Sequence, residues 1–249
     1  MTPLEALAVL LAGIAAGALN TIVGSGSLLT FPTLLAVGLP PITANVSNTI
    51  GLVPGGISGT LGYRRELAGQ RDRLVRLAIP ALLGGTLGAA LLLVLPAAAF
   101  EVIVPFLLLF AAVLLALQGR LRKLLARDTG HRSIAFAIVP VALAAIYGAY
   151  FGAGLGILLL AILAVTLEDS VVRANALKQL LTLAINTCAA LFFLAYGKVD
   201  WSVAGVVAGG SLVGGVVGGK LASRIPEAVL RWFAIFVAVG VAVRELISA

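Results

Sequence analysis

The sequence predicts an all-α polytopic membrane protein with two repeat halves of about four transmembrane helices each, and with paired broken or re-entrant glycine-rich segments. Of its 249 residues, 61% are hydrophobic and only 11% are charged, with a mean hydropathy of +1.15. A soluble domain carries about 25% charged residues. Glu5 is the one charged residue between positions 2 and 63, a run far too long for one buried helix. Similar glycine-rich interruptions recur about 130 residues apart.

Apolar runs predict the spans of each half. The first half has runs at 4–19, 42–63 and 77–95 and one centred on 106–117, and the second half has runs at 134–150, 175–196, 201–221 and 229–243. Two apolar pieces, at 27–37 and 158–165, are shorter. The first of these would measure about 17 Å as a helix, whereas a hydrocarbon core is about 30 Å thick. We therefore expect each short piece to be half of a broken helix or a re-entrant segment.

Matching features support an internal duplication. Ala44-Asn45 recurs as Ala174-Asn175 after 130 positions, and Gly24 with Gly26 recurs as Gly152 with Gly154 after 128. The glycines at 84, 85 and 88 recur at 214, 215 and 218, again after 130 positions. We expect a first half over residues 1–118, a basic linker over 119–132 and a second half over 133–249. The glycines at 84 and 88 and those at 214 and 218 have GxxxG spacing, which favours close helix packing over ligand contact.

The relative orientation of the halves depends on the short pieces. If they are re-entrant, each half crosses the membrane four times and both halves have one orientation. If they cross, each half has five crossings and the halves are inverted. Their shortness favours the first arrangement, with eight full spans.

Basic residues predict the topology. The net charge is +7, and ten of the 17 basic residues lie in the stretches 64–76 and 120–132. Basic loops that flank apolar spans are retained in the cytoplasm, so we place residues 64–76 and 119–132 there. This distribution indicates membrane topology and not nucleic-acid binding.

The reactive side chains argue against an enzyme. With one cysteine, Cys188, and one histidine, His131, the chain offers no disulfide, thiolate metal site, catalytic triad or haem site. The glycines from 152 to 156 follow no predicted strand, which argues against a Rossmann nucleotide site. We expect no metal and no cofactor.

Polar residues at membrane depth predict a binding site. Buried polar groups without partners are costly in hydrocarbon, so these residues should face each other, exposed backbone or a substrate. The candidate substrate-binding residues are Asn20, Gly24, Ser25, Gly26, Ser27, Asn45, Asn48, Thr49, Gly152, Gly154, Gly156, Asn175, Lys178 and Gln179. Glycines let backbone N–H groups approach a ligand, and helices that start after them direct positive dipole ends to the same place. Both features favour an anion.

The charged residues favour an anion as well. All ten carboxylates lie at span ends or in loops, whereas a cation pump or proton relay places an acid within a span. Lys178 lies near the polar cluster and could neutralise an anion. It could equally extend to the membrane interface. The hydroxyls of Ser25, Ser27, Thr30 and Thr182 could instead bond backbone carbonyls of their own helices.

Several motifs resemble the TauE/SafE family of sulfite exporters, also called toluene sulfonate uptake permeases. Residues 24–32 (GSGSLLTFP), 44–50 (ANVSNTI) and 59–65 (GTLGYRR) resemble its first half, and residues 197–201 (GKVDW) resemble its second-half signature. The resemblance covers nearly the whole chain. It implies a bacterial inner-membrane permease for sulfur-containing anions such as sulfite or sulfonates, with a duplicated four-span unit. The family's glycine-rich turns fall on the glycines at 24, 26, 152, 154 and 156.

These observations predict a secondary transporter for a small sulfur oxyanion, with the site between the two halves. The expected partners are an inorganic or organic sulfur anion, the lipid bilayer and a coupling ion, for which proton and sodium both fit the sequence. Import and export fit equally. An anion channel of the same fold is the alternative. A membrane enzyme or a non-transporting scaffold has no motif in its support.

Overall fold

The structure is a computed structural model that describes residues 1–125, 134–166, 170–221 and 227–248. All regular elements in these ranges are α-helices, which confirms the predicted fold class. In chain order they are α1 (Pro3–Ile22), α2 (Ser27–Ala36), α3 (Pro41–Gly62), α4 (Arg71–Val94), α5 (Ala97–Leu125), α6 (Ala135–Tyr150), α7 (Leu155–Thr166), α8 (Val171–Tyr196), α9 (Trp201–Leu221) and α10 (Glu227–Ser248). Helix α5 continues through the first part of the expected linker, and the rest of that linker lies outside the described residues.

Five helices are long and apolar enough to cross a membrane. They are α1, α4, α5 up to Arg120, α8 from Val172 and α9 up to Gly218, as judged by length and composition over the described residues. Large apolar side chains on their outer faces are exposed, such as Leu83 and Phe106. An exposed apolar belt of this extent is typical of a lipid-facing surface. The chain is therefore an integral membrane protein.

Glycines allow helices that are not consecutive in the chain to pack backbone to backbone. A Cβ added to Gly84 would overlap the Ala142 carbonyl oxygen of α6, and one on Gly88 would overlap the Ile146 carbonyl oxygen. On the other side of the molecule, a Cβ on Gly218 would lie 2.7 Å from the Ala18 Cα of α1. Close packing at both predicted GxxxG sites is confirmed.

The Gly88 contact leads to a stability prediction. Gly88→Ala should lower the melting temperature of the purified protein, because the new methyl group overlaps the α6 backbone and must separate α4 from α6. Overpacking of this kind costs about 1–3 kcal/mol. Gly205→Ala is the matched control, since a Cβ at Gly205 meets no atom within 4 Å. An equal melting temperature for both variants would contradict the packing of α4 on α6.

Contacts with α9 fix the directions of α1 and α3. Gly13 of α1 lies against Gly210 and Ala18 lies against Gly218, so α1 and α9 run parallel. Helix α3 is also parallel to α9, because Gly51 lies against Val207 and Gly55 against Ser211. Since α1 and α3 therefore share one direction, the short helix α2 between them must return the chain. Its 10 residues span about 15 Å.

Helices α3 and α8 run antiparallel. Ser47, near the start of α3, accepts a hydrogen bond from the Asp200 N–H just beyond the end of α8, at 2.9 Å. Tyr63, just beyond the end of α3, accepts one from Asn175 near the start of α8, at 2.8 Å. The expectation that corresponding helices share one orientation is therefore wrong. Although α2 is short, it reverses the chain direction. The chain enters both α2 and α7 through a turn that contains a glycine with positive φ.

Candidate functional site

Two turns that interrupt the apolar helices form the centre of the candidate site. We call residues 23–26, between α1 and α2, the first glycine turn, and residues 151–154, between α6 and α7, the second glycine turn. Gly24 has φ +88° and Gly152 has φ +86°, both in the left-handed region of backbone conformation that residues with a Cβ avoid. Helix α1 cannot continue through Gly24 with this geometry, so the chain turns into α2.

Each glycine turn contacts the start of the other short helix, although 128 positions separate Gly24 from Gly152. The Gly156 N–H in the first turn of α7 donates a hydrogen bond to the Gly24 carbonyl oxygen at 3.0 Å. A Cβ on Gly24 would lie 2.6 Å from the Gly156 Cα, and one on Gly152 would lie 3.4 Å from the Ser27 Oγ. The fold therefore joins the starts of the two short helices.

Each turn leaves backbone donors unused. No hydrogen bond from the N–H groups of Ser25, Gly26 or Ser27 forms within the described parts of the chain, and the same holds for residues 152–154. The N-cap residue of α2, Gly26, provides no side-chain cap. Helix N-termini with free N–H groups and an aligned dipole attract anions. Both short helices, α2 and α7, therefore have free N–H groups in the turn that leads into them.

Lys178 of α8 reaches this meeting point. Its side chain is fully buried, and its Nζ would lie 3.2 Å from a Cβ on Gly24. The Nζ has no hydrogen-bond partner among the described residues. The interpretation that Lys178 extends to the membrane interface is therefore wrong, because none of the side chain reaches the surface. An unpaired buried ammonium group is costly unless an anion joins it.

Other buried polar atoms are unpaired as well. Both amide atoms of Asn48, the Oε1 of Gln179 and the hydroxyls of Ser25, Thr30 and Thr182 find no partner in the described part of the chain. Bonds from these three hydroxyls to carbonyls of their own helices were one expected alternative, and the structure does not contain them. Buried polar groups without partners are rare in proteins, and a binding site for a ligand is one common reason for them.

Asn45 and Asn175 have structural partners. The Asn45 Nδ2 donates to the Tyr150 carbonyl oxygen at 2.8 Å, at the end of α6. The Asn175 Nδ2 donates to the Tyr63 hydroxyl at 2.8 Å, and that hydroxyl lies 3.5 Å from the Thr21 carbonyl oxygen near the end of α1. Each asparagine thus holds the helix end that precedes one glycine turn. These contacts within the protein explain why an asparagine occurs at the same position of both halves, without any contact to a substrate.

The predicted residues do not all converge. A Cβ on Gly26 would lie 3.1 Å from the Asn20 Cβ, which brings Asn20 to the first glycine turn. A Cβ on Gly154 would instead approach Leu114 of α5, at 3.4 Å. Gln179 lies beside Gly59 of α3, where a Cβ added to the glycine would be 2.8 Å from the Gln179 Nε2. Thr49 is buried on α3.

Sequence reasoning missed two residues. Tyr63 links Asn175 to the end of α1, and no spacing in the sequence indicates this contact. Thr182 is absent from the predicted binding residues, although it follows Lys178 by one helical turn. Residues four positions apart share a helix face, so that spacing could have identified Thr182.

Comparisons with known proteins identify the family of the chain. The profile of the family described as sulfite exporter TauE/SafE matches residues 9–245. The chain is 26% identical over 233 residues to a probable membrane transporter protein, ORF9, of Sinorhizobium, covering 93% of this chain and 88% of the relative. It is 25% identical to a probable membrane transporter protein of Haemophilus influenzae (88% and 86% covered) and 26% identical to YfcA of Escherichia coli K12, a probable membrane transporter protein (83% and 76%). No solved structure gives a significant match. The chain belongs to the TauE/SafE family of membrane transporters.

Proposed function

We propose that the protein is a secondary transporter for small sulfur-containing oxyanions, such as sulfite or organosulfonates, and that the anion binds where the two glycine turns meet. The observation that carries this proposal is the buried Lys178 Nζ, which lies without a partner in the described part of the chain, beside Gly24. The family description, which names sulfite export, supports the sulfur chemistry. Sulfite and sulfonates share a compact group of oxygen atoms around sulfur that can accept several hydrogen bonds at once.

The proposed site would offer an oxyanion both charge and hydrogen-bond donors. Lys178 would supply the countercharge, the N–H groups of Ser25–Ser27 would supply backbone donors, and Asn48 would supply a neutral side-chain donor. Hydrogen bonds to a charged group contribute about 1.5–3 kcal/mol each, more than bonds between neutral groups. A site of this kind prefers an anion to a neutral solute of the same shape.

Alternating access would move groups of helices drawn from both halves, because α1 and α3 pack closely on α9 and α4 packs in the same way on α6. The antiparallel directions of α3 and α8 fit an inverted duplication, in which the two ends of the site are built from equivalent helices. The hydrogen bonds of Asn45 to Tyr150 and of Asn175 to Tyr63 lie near opposite ends of α3. We propose that these contacts break and form in turn as the site opens to each side.

The proposed orientation places the basic loops 64–76 and 119–132 in the cytoplasm of a cell whose inner membrane holds the protein. Arg64 and Arg65 are exposed in the first loop, and Arg71 and Arg76 are exposed in the first turns of α4. Exposed arginines at one end of α4 fit the positive-inside rule. Engineered cysteines in these loops, labelled from either side, would test this orientation.

Sulfite flux in proteoliposomes tests the function. The purified protein should give saturable flux and counterflow, which indicate a carrier. Asn48→Leu should lower the flux about tenfold or more without loss of folded protein, because it removes a donor that has no partner among the described residues. Thr60→Val is the control, since its hydroxyl bonds the Gly56 carbonyl oxygen of the same helix.

Two results would contradict this account. Single-channel currents in place of counterflow would identify an anion channel of the same fold. Unchanged sulfite flux in Asn48→Leu, together with unchanged flux in Asn45→Ala, Asn175→Ala and Lys178→Ala, would place the substrate elsewhere.

A further inference from the structure

Lys178 lies in an environment without a countercharge. Its Nζ is buried two helical turns after the start of α8 at Val171 and has no partner among the described residues. A lysine that served only to hold the fold together would be paired with an acid or with carbonyl oxygens. Its position beside the Gly24–Gly156 contact and its lack of a partner suit a group that binds a solute.

The helices that pack on α8 bring no acid to Lys178. The described parts of α3 and α7 contain no charged residue, and α6 brings only the hydroxyls of Tyr147 and Tyr150. Tyr147 donates to the Ala153 carbonyl oxygen at 2.6 Å. The charged residues of α4 are Arg71, Asp72, Arg73 and Arg76, and its one carboxylate, that of Asp72, is exposed and pairs with Arg76 at 3.0 Å. Helix α8 itself adds Arg173, which donates to the Ala68 carbonyl oxygen, and Cys188, which contacts Thr86.

We propose that Lys178 is the coupling site of the transporter and that the coupling ion is the proton. This inference rests on the proposed anion site. In the empty protein the amine is neutral, because an ammonium ion there would be desolvated and uncompensated. When an anion enters, the amine lone pair takes up one proton, and the resulting ammonium ion pairs with the anion. On the other side of the membrane the ammonium releases its proton and the anion dissociates, which restores the neutral amine.

Binding of the proton and the anion must then be mutually dependent. By linkage, each ligand raises the affinity for the other by the same factor. For a monovalent anion the loaded site carries no net charge, so one proton and one anion cross together without net charge movement. A proton gradient drives this transport directly, whereas a membrane potential does not. The empty protein crosses back with a neutral amine, which avoids moving a bare charge through the hydrocarbon.

The test uses methanesulfonate, whose sulfonate stays a monoanion throughout the pH range in which proteins are stable. Sulfite is less suitable because it takes up protons itself and forms permeant sulfur dioxide. Proteoliposomes with an alkaline interior and a clamped membrane potential should accumulate radiolabelled methanesulfonate above the external concentration. Nigericin, which dissipates the proton gradient under these conditions, should abolish the accumulation. A sodium gradient of equal size should give none.

A binding measurement tests the same proposal without transport. In weakly buffered alkaline solution, the detergent-purified protein should take up one proton for each methanesulfonate bound. Lys178→Arg keeps a permanent charge, so the number of protons taken up for each anion that still binds should fall from one to zero. If that variant does not fold, the methanesulfonate accumulation that wild-type protein gives with a proton gradient and with a sodium gradient decides whether the proton is the coupling ion.

The outcomes separate the two proposals. Flux that follows only the membrane potential or a sodium gradient overturns proton coupling and leaves the transport function in place. The absence of flux and of binding for both methanesulfonate and sulfite overturns the transport proposal and, with it, the coupling.

Discussion

Gly156→Ala is expected to reduce sulfite flux by about 10- to 100-fold, which corresponds to about 1.4–2.7 kcal/mol at the transport barrier. A Cβ at this position would lie 2.5 Å from the Gly24 Cα and 2.7 Å from the Gly24 carbonyl oxygen. Both neighbours are backbone atoms, so a side-chain rotation cannot relieve the overlap. The methyl group must separate the start of α7 from the first glycine turn and break the 3.0 Å hydrogen bond from Gly156 to Gly24.

Gly209→Ala is the matched control. It makes the same change within a helix, at a position where a Cβ meets no atom within 4 Å. Its flux should equal that of the wild type, and its melting temperature should be equal or slightly higher, because alanine favours helix over glycine by about 1 kcal/mol. Wild-type flux in Gly156→Ala would show that close contact between the first glycine turn and the start of α7 is not needed for transport.

Lys178→Met is expected to affect transport and stability in opposite directions. Sulfite flux should fall by about 100-fold or more, because losing one partner of a buried ion pair costs about 3–5 kcal/mol. The empty protein should melt at the same or a higher temperature, since methionine fills a similar volume without burying an amine. The measurements are flux in proteoliposomes and thermal unfolding in detergent, each with and without sulfite.

Lys198→Met provides the control for this prediction. Lys198 is exposed between α8 and α9, and the same substitution there should alter neither flux nor stabilisation by sulfite. A strongly lowered melting temperature in Lys178→Met, with sulfite affinity retained, would mean that Lys178 supports the fold and does not bind the anion.

Local sequence signals predicted the helices well. Gly24 and Gly152 indicated where the helices break, because glycine adopts positive φ much more readily than other residues. The short apolar piece expected at 27–37 is α2 in the structure. The GxxxG spacings predicted backbone contact correctly, because that pattern acts within one helix face.

Non-local features were harder to predict. The length of α2 indicated a re-entrant segment and a shared orientation, yet the direction of α3 depends on its packing against α9 and α8, which are distant in sequence. The depth of Lys178 was underestimated because α8 begins at Val171, before the apolar run does. Asn175 was predicted from its repeated position, but no local pattern in the sequence indicates that Tyr63 is its hydrogen-bond partner.

Locating a bound selenium oxyanion tests the central claim most directly. Selenite is a pyramidal oxyanion like sulfite, and its selenium atom gives an anomalous signal that identifies it in a crystal. We predict one peak within hydrogen-bond distance of the Lys178 Nζ, at the junction of the first and second glycine turns, and no such peak in crystals of Lys178→Met. A peak confined to the arginines of the exposed loop before α4, with the junction closed and empty, would contradict the account.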